Sequence, residues 1–369
     1  MLDFTSALYL GMRHPACSLP PWQSLTTGYP AALAEPPGAT DVAKAFARLQ
    51  GCEQGVLMSS TLHLYWDLFG MLSKQPVAIY LDEHAYTVSR WGAKHAAAYG
   101  VPVCQFRHHS AAALLAQIRG QADSKRRPVV VIDGYCPACV EFAPLADYLK
   151  IIRPHNGLLV IDDTQALGIL GALPESNAPY GREGGGILPW SGQGGSDILV
   201  GSSLAKAFGV PIAVLAGSGA MIGHFIANSD TRVHCSPPSI AVINAAAQAL
   251  AINQLQGNRL RQQLADRIRQ FRNGLAGIGL SVTGGWFPVQ SLRNVVGRSA
   301  VRLHHQLFKL GIQTVLTRTH NGSKPRLNFL ITARHSPKDI DRCIDILAVV
   351  TNYANTSAKP EQLPAIQYF

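Results

Sequence analysis

Lys206 has neighbours that suit it for covalent chemistry. It lies in the segment Asp197–Gly209, where small and apolar residues surround it and two serines precede it. Desolvation by such neighbours lowers the pKa of a lysine amine and makes the amine nucleophilic. Hydroxyl groups nearby can bind a phosphate. This combination is typical of a lysine that forms a Schiff base with pyridoxal phosphate, whereas a surface lysine with its ammonium group in water is the alternative interpretation.

Asp162 is the second residue with a clear chemical use. It follows the apolar run 158–161, just as Lys206 follows the apolar run 198–200. An aspartate beside pyridoxal phosphate keeps the pyridine nitrogen protonated, so that the ring accepts electrons from a substrate carbanion. The lysine holds the aldehyde and later moves protons at the substrate Cα. Together the two residues predict pyridoxal phosphate chemistry, which neither predicts alone.

Apolar runs that alternate with helical segments position these residues. Runs at 77–81, 129–132 and 158–161 lack polar alternation, and helical patterns at 111–118 and 145–152 separate them. This pattern predicts a mainly parallel sheet between helices. In such sheets ligands bind at the carboxyl ends of the strands. The polar residues that follow the runs are Asp82, Glu83, His84, Asp133, Asp162, Asp163 and Gln165.

The C-terminal part of the chain predicts a second, smaller α/β domain. A long helix at 241–275 is expected to lead into it. Its predicted strands and helices alternate at 286–290, 299–310, 312–316, 327–331 and 337–350.

The predicted division of the chain follows from these elements. The segment 171–196, which is rich in Gly, Pro and Ser, fits either a lid loop or a surface loop. The predicted parts are an N-terminal arm and helix at 1–45, a large cofactor-binding domain at 46–240, a linking helix and small domain at 241–355, and a tail at 356–369.

Composition excludes several classes of protein. Of the 369 residues 47% are hydrophobic and 15% charged, which is typical of a globular chain, and no apolar run is long enough for a membrane span. The net charge of +10 comes from scattered basic residues that are not interleaved with aromatics, so we predict no nucleic-acid partner. The N-terminus lacks a signal-peptide pattern and the cysteine count is odd, so we expect a cytoplasmic protein.

Two further motifs carry weaker signals. Cys136 and Cys139 form a single CxxC, which without a second pair is poor evidence for zinc; a redox disulfide and two thiols lining a substrate loop both remain open. His108 and His109 have no carboxylate at a suitable spacing in the sequence, so we interpret them as a strand end. We therefore predict no metal site.

Short motifs are spread along the chain from about Leu2 to Val350. They are the arm Leu2–Gly11, the turn Ser59-Ser60-Thr61, the strand ends Asp82–Ala85 and Phe106–His108, the segments Asp133-Gly134 and Ala143–Leu145, and the stretches Asp162–Gln165, Ser203–Gly209 and Ser236–Pro238. Together they resemble the α-oxoamine synthase group of fold-type I pyridoxal phosphate enzymes. The stretch 162–165 is similar to that group's D-E-A-H, and 203–209 is similar to its T-L-G-K-A-F-G.

The resemblance implies a fold, a cofactor and roles for residues. It implies a fold-type I α/β enzyme with a large domain and a smaller C-terminal α/β domain, forming a homodimer with shared active sites. Lys206, Asp162 and His84 would be catalytic, with His84 stacked on the ring of pyridoxal 5'-phosphate. The residues placed at the cofactor are Ser60, Thr61, His84, Asp133, Asp162, Gln165, Ser203, Lys206 and Ser236.

The departures from the group's pattern lie mostly on the substrate side. Gln165 replaces a histidine, and an amide cannot carry a proton charge. The arginine that binds a substrate carboxylate aligns with Asn328, while Arg326 lies two residues earlier on the same face of the predicted strand. Tyr9, Arg326 and Asn328 are therefore the predicted substrate-binding residues. A glycine before the lysine is Ala205, and the stretch between Asp162 and Lys206 is longer than usual.

The resemblance implies decarboxylative condensation of an amino acid with an acyl thioester, carried by coenzyme A or an acyl-carrier protein. The altered substrate side leaves open another pyridoxal phosphate reaction of a specialised pathway, namely an aminotransferase, lyase or cyclase reaction. A protein of a different class, a non-catalytic scaffold that binds the cofactor, is the further alternative. Retention of Lys206, Asp162 and His84 favours an enzyme.

Overall fold

The structure is a computed structural model that describes residues 1–120, 125–318 and 324–354, with side chains up to Thr351. The predicted tail at 356–369 lies outside the described residues. Within the described ranges, no helix combines the length and hydropathy that a bilayer crossing needs.

Strands and helices alternate along most of the chain. The strands are β1 Leu2–Asp3, β2 Gln54–Met58, β3 Val77–Asp82, β4 Val103–Phe106, β5 Arg127–Asp133, β6 Tyr135–Cys136, β7 Glu141–Phe142, β8 Leu158–Asp162, β9 Ile198–Ser203, β10 Ala213–Gly217, β11 Val282–Thr283, β12 Val289–Val296, β13 Ile312–Gln313, β14 Val315–Thr317 and β15 Arg326–Leu330. The helices are α1 Ala39–Leu49, α2 Thr61–Ser73, α3 Thr87–Ala98, α4 Ala111–Arg119, α5 Leu145–Ile152, α6 Ile187–Ser191, α7 Gly219–Ala227, α8 Asp230–His234, α9 Ile240–Gly277, α10 Arg298–Lys309 and α11 Pro337–Ala354.

The chain divides into two compact units. The large unit contains residues 12–136 and 141–258, and the small unit contains residues 1–11, 137–140 and the chain from 259 onward.

A seven-stranded sheet forms the centre of the large unit, in the order β2-β10-β9-β8-β5-β3-β4. The strands from β9 to β4 run parallel, and β10 is antiparallel to both of its neighbours. Central residues such as Val131, Val160 and Leu199 are almost fully buried, because the sheet is flanked by helices and neither face meets solvent. The predicted α/β class, with a mainly parallel sheet between helices, is confirmed.

The strand register brings polar residues to one edge of the sheet. Asp133 at the end of β5 is the register partner of Asp162 at the end of β8, and Asp162 is also the partner of Gly201 in β9. Asp82 ends β3 beside Phe106 at the end of β4. Parallel strands present their carboxyl ends on the same edge, so these acidic residues share the edge where ligands bind in such folds.

The small unit is built on a four-stranded antiparallel sheet in the order β11-β12-β15-β14. The N-terminal arm belongs to this unit, because β1 pairs in parallel with β13. Phe4 is fully buried and stacks on His335, with ring centroids 4.4 Å apart. The arm therefore groups with the C-terminal sheet, whereas the predicted segment 1–45 placed it with α1.

Two predicted strands of the small unit have different bounds. The strand expected at 286–290 begins later, at Val289, because a tight turn precedes it. Gly284 and Gly285 both have positive φ, and Trp286 is 42% exposed. The run expected at 312–316 is divided into β13 and β14, because its first half pairs with β1 and its second half pairs with β15.

The Gly-rich segment 171–196 is partly buried. Its outer part forms an isolated bridge between Ala172 and Arg182, and its inner part, around α6, is buried. Gly186 has a φ of 88°, and a Cβ atom there would lie 1.9 Å from Asp163 Oδ2. Only glycine fits this position, where the following amide of Ile187 donates a hydrogen bond of 2.9 Å to Asp163 Oδ2.

Candidate active site

Asp162 supplies a buried acceptor at the carboxyl edge of the large sheet. The residue is 5% exposed, and its Oδ1 accepts a hydrogen bond of 3.0 Å from the Thr164 amide. Its Oδ2 is buried and makes no well-aligned hydrogen bond among the described residues. The Tyr65 hydroxyl, which is likewise buried without a well-aligned partner, lies near enough to interact with this carboxylate. A buried acceptor left unpaired costs about 1–3 kcal/mol, and more when it is charged. The oxygen therefore fits a cationic N–H donor such as the pyridinium of pyridoxal phosphate.

Thr164 connects the strand end that carries Asp162 to the strand that leads to Lys206. Its amide donates to Asp162, and its Oγ1 accepts a hydrogen bond of 3.0 Å from the Ser203 amide. This residue was not predicted from the sequence. Its position two residues after Asp162, where a hydroxyl can contact the next strand, is the signal that was available.

Lys206 lies in the turn after β9. Burial lowers the pKa of its amine, and the charges of Asp162 and Asp133 oppose that effect only in part. The neighbouring Ala207 and Phe208 are almost fully buried. Lys206 as a whole is half-buried, and the lowered pKa of its amine favours a nucleophile.

Asp133 adds a second carboxylate beside Asp162. Its Oδ1 accepts a hydrogen bond of 2.9 Å from the Tyr86 amide. Burial raises the pKa of Asp133 well above its usual range, and the charge of Asp162 adds to this effect. Burial likewise raises the pKa of Asp162. Two adjacent carboxylates oppose each other's ionisation, so the pair favours a positively charged group between them.

The helix α2 presents hydroxyl groups at its N-terminus. The Ser60 side chain caps the helix by accepting from the His63 amide at 3.4 Å, and Thr61 is the first helical residue. Ser59 donates a hydrogen bond of 3.0 Å to the Ser236 carbonyl, which brings Ser236 to this helix start. Exposed amides at a helix N-terminus attract anions, so this end of α2 fits a phosphate. Ser203, in the same unit, accepts from the Ala205 amide at 3.3 Å.

His84 follows β3 and lies in a group of imidazoles. Its amide donates a hydrogen bond of 2.8 Å to Asp82 Oδ1, and its ring centroid is 4.3 Å from that of His108. His108 Nδ1 is 2.7 Å from the same Asp82 oxygen. A carboxylate therefore partners His108, although we expected none from the sequence. The contact joins residues on neighbouring strands 26 positions apart, which no local spacing shows.

The three residues predicted to bind substrate lie in the small unit. The amide of Asn328 is engaged within its own sheet: it accepts from the Ser291 hydroxyl and donates 2.8 Å to Thr317 Oγ1. Arg326 is half-buried at the start of β15, and its guanidinium has no ion pair or hydrogen bond within the described ranges. Tyr9 is buried and packs edge-on against Phe287, with ring centroids 5.7 Å apart.

The comparison with known families follows this geometry. The family model described as aminotransferase class I and II matches residues 31–347. The chain belongs to this family. The finding confirms the predicted resemblance, the transferase class and the cofactor pyridoxal 5'-phosphate. Gln165, the half-buried amide in the stretch that begins with Asp162, is one of the positions where this chain departs from the resemblance.

Individual relatives support the same grouping. A protein named 8-amino-7-oxononanoate synthase from Alkalilimnicola ehrlichii is 30% identical over 234 residues, which cover 62% of this chain and 56% of that protein. A protein of the same name from Nitrosococcus oceani is 31% identical over 250 residues, which cover 67% of this chain and 63% of that protein. The chain thus spans less than two thirds of the length of these two relatives.

A solved structure supports the fold. Serine palmitoyltransferase from Sphingomonas wittichii matches with a TM-score of 0.82 at 18% identity, and the match covers 96% of this chain and 88% of that chain. The match covers nearly the whole chain and shows that the two proteins share a fold.

Proposed function

We propose that this chain is a pyridoxal phosphate enzyme that condenses an amino acid with an acyl thioester and releases carbon dioxide. The observation that carries the proposal is the combination of a buried Asp162 oxygen that lacks a well-aligned hydrogen bond among the described residues with a Lys206 amine of lowered pKa. The names of the relatives, 8-amino-7-oxononanoate synthase, support this class of reaction.

The cofactor, when bound, supplies an electron sink for the carbanion formed at the substrate Cα. Asp162 Oδ2 would keep the ring nitrogen protonated, and the Thr164 amide holds the carboxylate in place through Oδ1. Lys206 would hold the aldehyde carbon and move protons at Cα, and its lowered pKa favours the neutral amine that both roles need.

Other residues bind and orient. Ser60 and Thr61 at the α2 N-terminus, with Ser203 and Ser236, would hold the phosphate. His84 would stack on the ring. Asp133 would add a second carboxylate beside Asp162, and Gln165 would donate a hydrogen bond to a cofactor oxygen without changing its own charge. The substrate carboxylate is bound by Arg326, whose planar guanidinium forms two parallel hydrogen bonds with a carboxylate.

Gln165 favours a second candidate function. An amide at this position cannot relay a proton as a histidine can, and this departure from the resemblance leaves room for an aminotransferase, lyase or cyclase reaction. A non-catalytic scaffold is the remaining alternative, and the lowered pKa of Lys206 supports an enzyme over it.

The test uses the purified holoenzyme with a panel of amino acids and saturated acyl-CoA thioesters. Condensation predicts release of carbon dioxide and free thiol in equal amounts, and only when both substrates are present. Release of a keto acid or ammonia without thiol would replace this proposal by the second candidate. Cofactor absorbance that no amino acid changes would indicate a scaffold.

The assembly and location of the protein remain predictions. We infer a homodimer with shared active sites and a cytoplasmic location from the resemblance and from the sequence. Analytical ultracentrifugation of the holoenzyme tests the first, and a single species with the mass of one chain would contradict it.

A further inference from the structure

Three side chains with metal-binding atoms meet at the carboxyl edge of the large sheet. His84 follows β3, His108 follows β4, and Cys136 ends β6. One ring nitrogen of each histidine and the cysteine sulfur all lie within 4.8 Å of one another. Cys136 is 7% exposed and the two histidines are half-buried, so an ion can still reach the group. From the sequence we predicted no metal site, because nothing in it shows that these three residues meet.

The spacing of these atoms is close to that of a zinc site. Tetrahedral zinc binds nitrogen at about 2.0–2.1 Å and sulfur at about 2.3 Å, which places its ligand atoms about 3.3–3.6 Å apart. Separations of at most 4.8 Å therefore need side-chain shifts of about 1 Å to close around an ion. Two imidazoles and a thiolate are ligands that zinc takes, whereas calcium and magnesium take oxygen ligands. The ligand types thus select zinc.

Asp82 orients one of the two imidazoles. Its carboxylate is buried, with 1% of the residue exposed, and lies 2.7 Å from His108 Nδ1. Because Asp82 occupies Nδ1, Nε2 is the ring nitrogen of His108 that can bind a metal. A histidine that binds zinc typically donates its other N–H to a carboxylate in this way, which fixes its tautomer and the orientation of its ring. The carboxylate that a zinc-bound His108 needs is therefore already in place.

The backbone that carries the ligands is also held in position. Asp82 Oδ1 accepts a hydrogen bond of 2.8 Å from the His84 amide, and Glu83 Oε1 accepts one of 3.0 Å from the His108 amide. Cys136 lies in β6, which pairs with β7. Ligands that are fixed before an ion arrives lose less conformational entropy when it binds. The three ligands thus come from segments that are already ordered.

We propose that His84, His108 and Cys136 form a zinc site, with Asp82 as its positioning residue. Three protein ligands leave the fourth position of a tetrahedral ion to water, which is the arrangement found in catalytic zinc sites. Zinc binding deprotonates the Cys136 thiol and releases the proton to solvent, and the ion itself is neither oxidised nor reduced. The site goes beyond the proposed function, because zinc binding does not depend on which reaction the enzyme catalyses.

A zinc ion and the cofactor can use His84 at the same time. A metal binds the lone pair of an imidazole nitrogen, which lies in the plane of the ring, whereas a stacked ring contacts the face of the imidazole. Coordination is therefore compatible with the stacking proposed for His84, and the ion would fix the plane of this imidazole. This consequence, unlike the zinc site itself, rests on the proposed function.

A metal-free cluster is the competing explanation. The Cys136 thiol interacts with the His108 imidazole, and a hydrogen bond between them satisfies both groups without an ion. That explanation uses only two of the three groups. The ligand atom of His84 lies within the same distance of both, and this third atom favours zinc.

The direct test counts zinc in the holoenzyme. The purified holoenzyme is stripped with a chelator, incubated with zinc chloride, freed of excess metal and analysed by plasma mass spectrometry. We expect about one zinc ion per chain, and loss of the ion in Cys136→Ala. Asp82→Asn should weaken zinc affinity by about 10–100-fold, the loss typical for the partner of a metal-binding histidine. The matched controls Cys17→Ala and His155→Gln change exposed residues and should retain the ion.

X-ray absorption at the zinc edge identifies the ligands without any substitution, so it tests the site even if a variant does not fold. We expect one sulfur at about 2.3 Å and nitrogen or oxygen ligands at about 2.0–2.1 Å. A zinc shell without sulfur, no zinc retained by the holoenzyme, or equal zinc in Cys136→Ala and the wild type would overturn the inference. These outcomes leave the proposed function standing, because its own test measures carbon dioxide and thiol release.

Discussion

Polar side chains at the carboxyl edge of the large sheet and in the sheet of the small unit differ in how fully they are hydrogen-bonded. At the large sheet, Asp162 keeps one buried oxygen without a well-aligned hydrogen bond in the described part of the chain, and Asp133 adds a second carboxylate. In the small unit, the amide of Asn328 is fully engaged by Ser291 and Thr317. Groups left unpaired inside a protein mark a binding site, whereas groups paired within one sheet support the fold. The carboxyl edge of the large sheet therefore fits a ligand, whereas Asn328 stabilises the sheet in which it lies.

The largest expected effect comes from removing the charge of Asp162 at the proposed cofactor site. Asp162→Asn removes the charge that keeps the ring nitrogen protonated while preserving shape. We expect the variant to retain bound cofactor and to lose about 10²–10⁴-fold in kcat, the range by which a positioned proton-transfer group accelerates a reaction. Steady-state kinetics with cofactor quantified by absorbance measures both. Turnover close to that of the wild type would remove the electron-sink role of Asp162.

Arg326 tests whether the small unit also binds a ligand. Arg326→Ala should weaken amino-acid binding by about 2–4 kcal/mol, the order found when one partner of a buried charge pair is removed. The absorbance of the bound cofactor should barely change. Spectral titration with the amino-acid substrate measures the affinity. Unchanged affinity would show that another group binds the carboxylate.

Asn328 is the matched contrast on the same strand face. Asn328→Ala leaves the Ser291 hydroxyl and Thr317 hydroxyl without their shared partner, and we expect a loss of about 1–3 kcal/mol in the free energy of unfolding. Substrate affinity in the folded variant should fall much less than in Arg326→Ala. Urea unfolding and the same spectral titration distinguish the two. A loss of affinity equal to that of Arg326→Ala would make Asn328 a substrate ligand.

The smallest expected effect concerns Asp133 and pH. Its pKa is raised in the folded protein, so the folded state binds this proton more tightly than the unfolded state does. The apoprotein is then most stable below the usual carboxyl pKa and loses stability as pH rises through the raised value. Asp133→Asn has no titrating carboxyl group at this position, so it does not lose this stability. The Tm of the variant should therefore rise relative to that of the wild type as the pH increases from 4 to neutrality. An identical pH dependence of Tm in both apoproteins would contradict the assigned burial.

The sequence predicted the large sheet well because its strands are buried on both faces. The runs before Asp82, Asp133 and Asp162 are continuous apolar stretches, and each became a central strand with its acid at the carboxyl end. The small unit was harder. Its strands are short, and the run 312–316 contributes to two different pairings, which depend on the distant arm at Leu2 and on β15.

Contacts between distant strands limited the prediction of the site. The Asp82 to His108 hydrogen bond and the proximity of Cys136 arise because β3 pairs with β4 and with β5. Residues that appear unrelated in the sequence are thereby brought to adjacent strand ends. The sequence showed a CxxC and a histidine pair, and only the register of the sheet shows that Cys136 and His108 belong together.

The central claim is that Lys206 carries the cofactor. Borohydride reduction of the purified holoenzyme, followed by digestion and mass spectrometry, fixes the cofactor to the lysine that holds its aldehyde. We predict a single pyridoxyl group on the peptide that contains Lys206, and none on that peptide in Lys206→Ala. A pyridoxyl group on any other lysine of the wild-type holoenzyme, or reduction that labels no lysine, would contradict the assignment of this site.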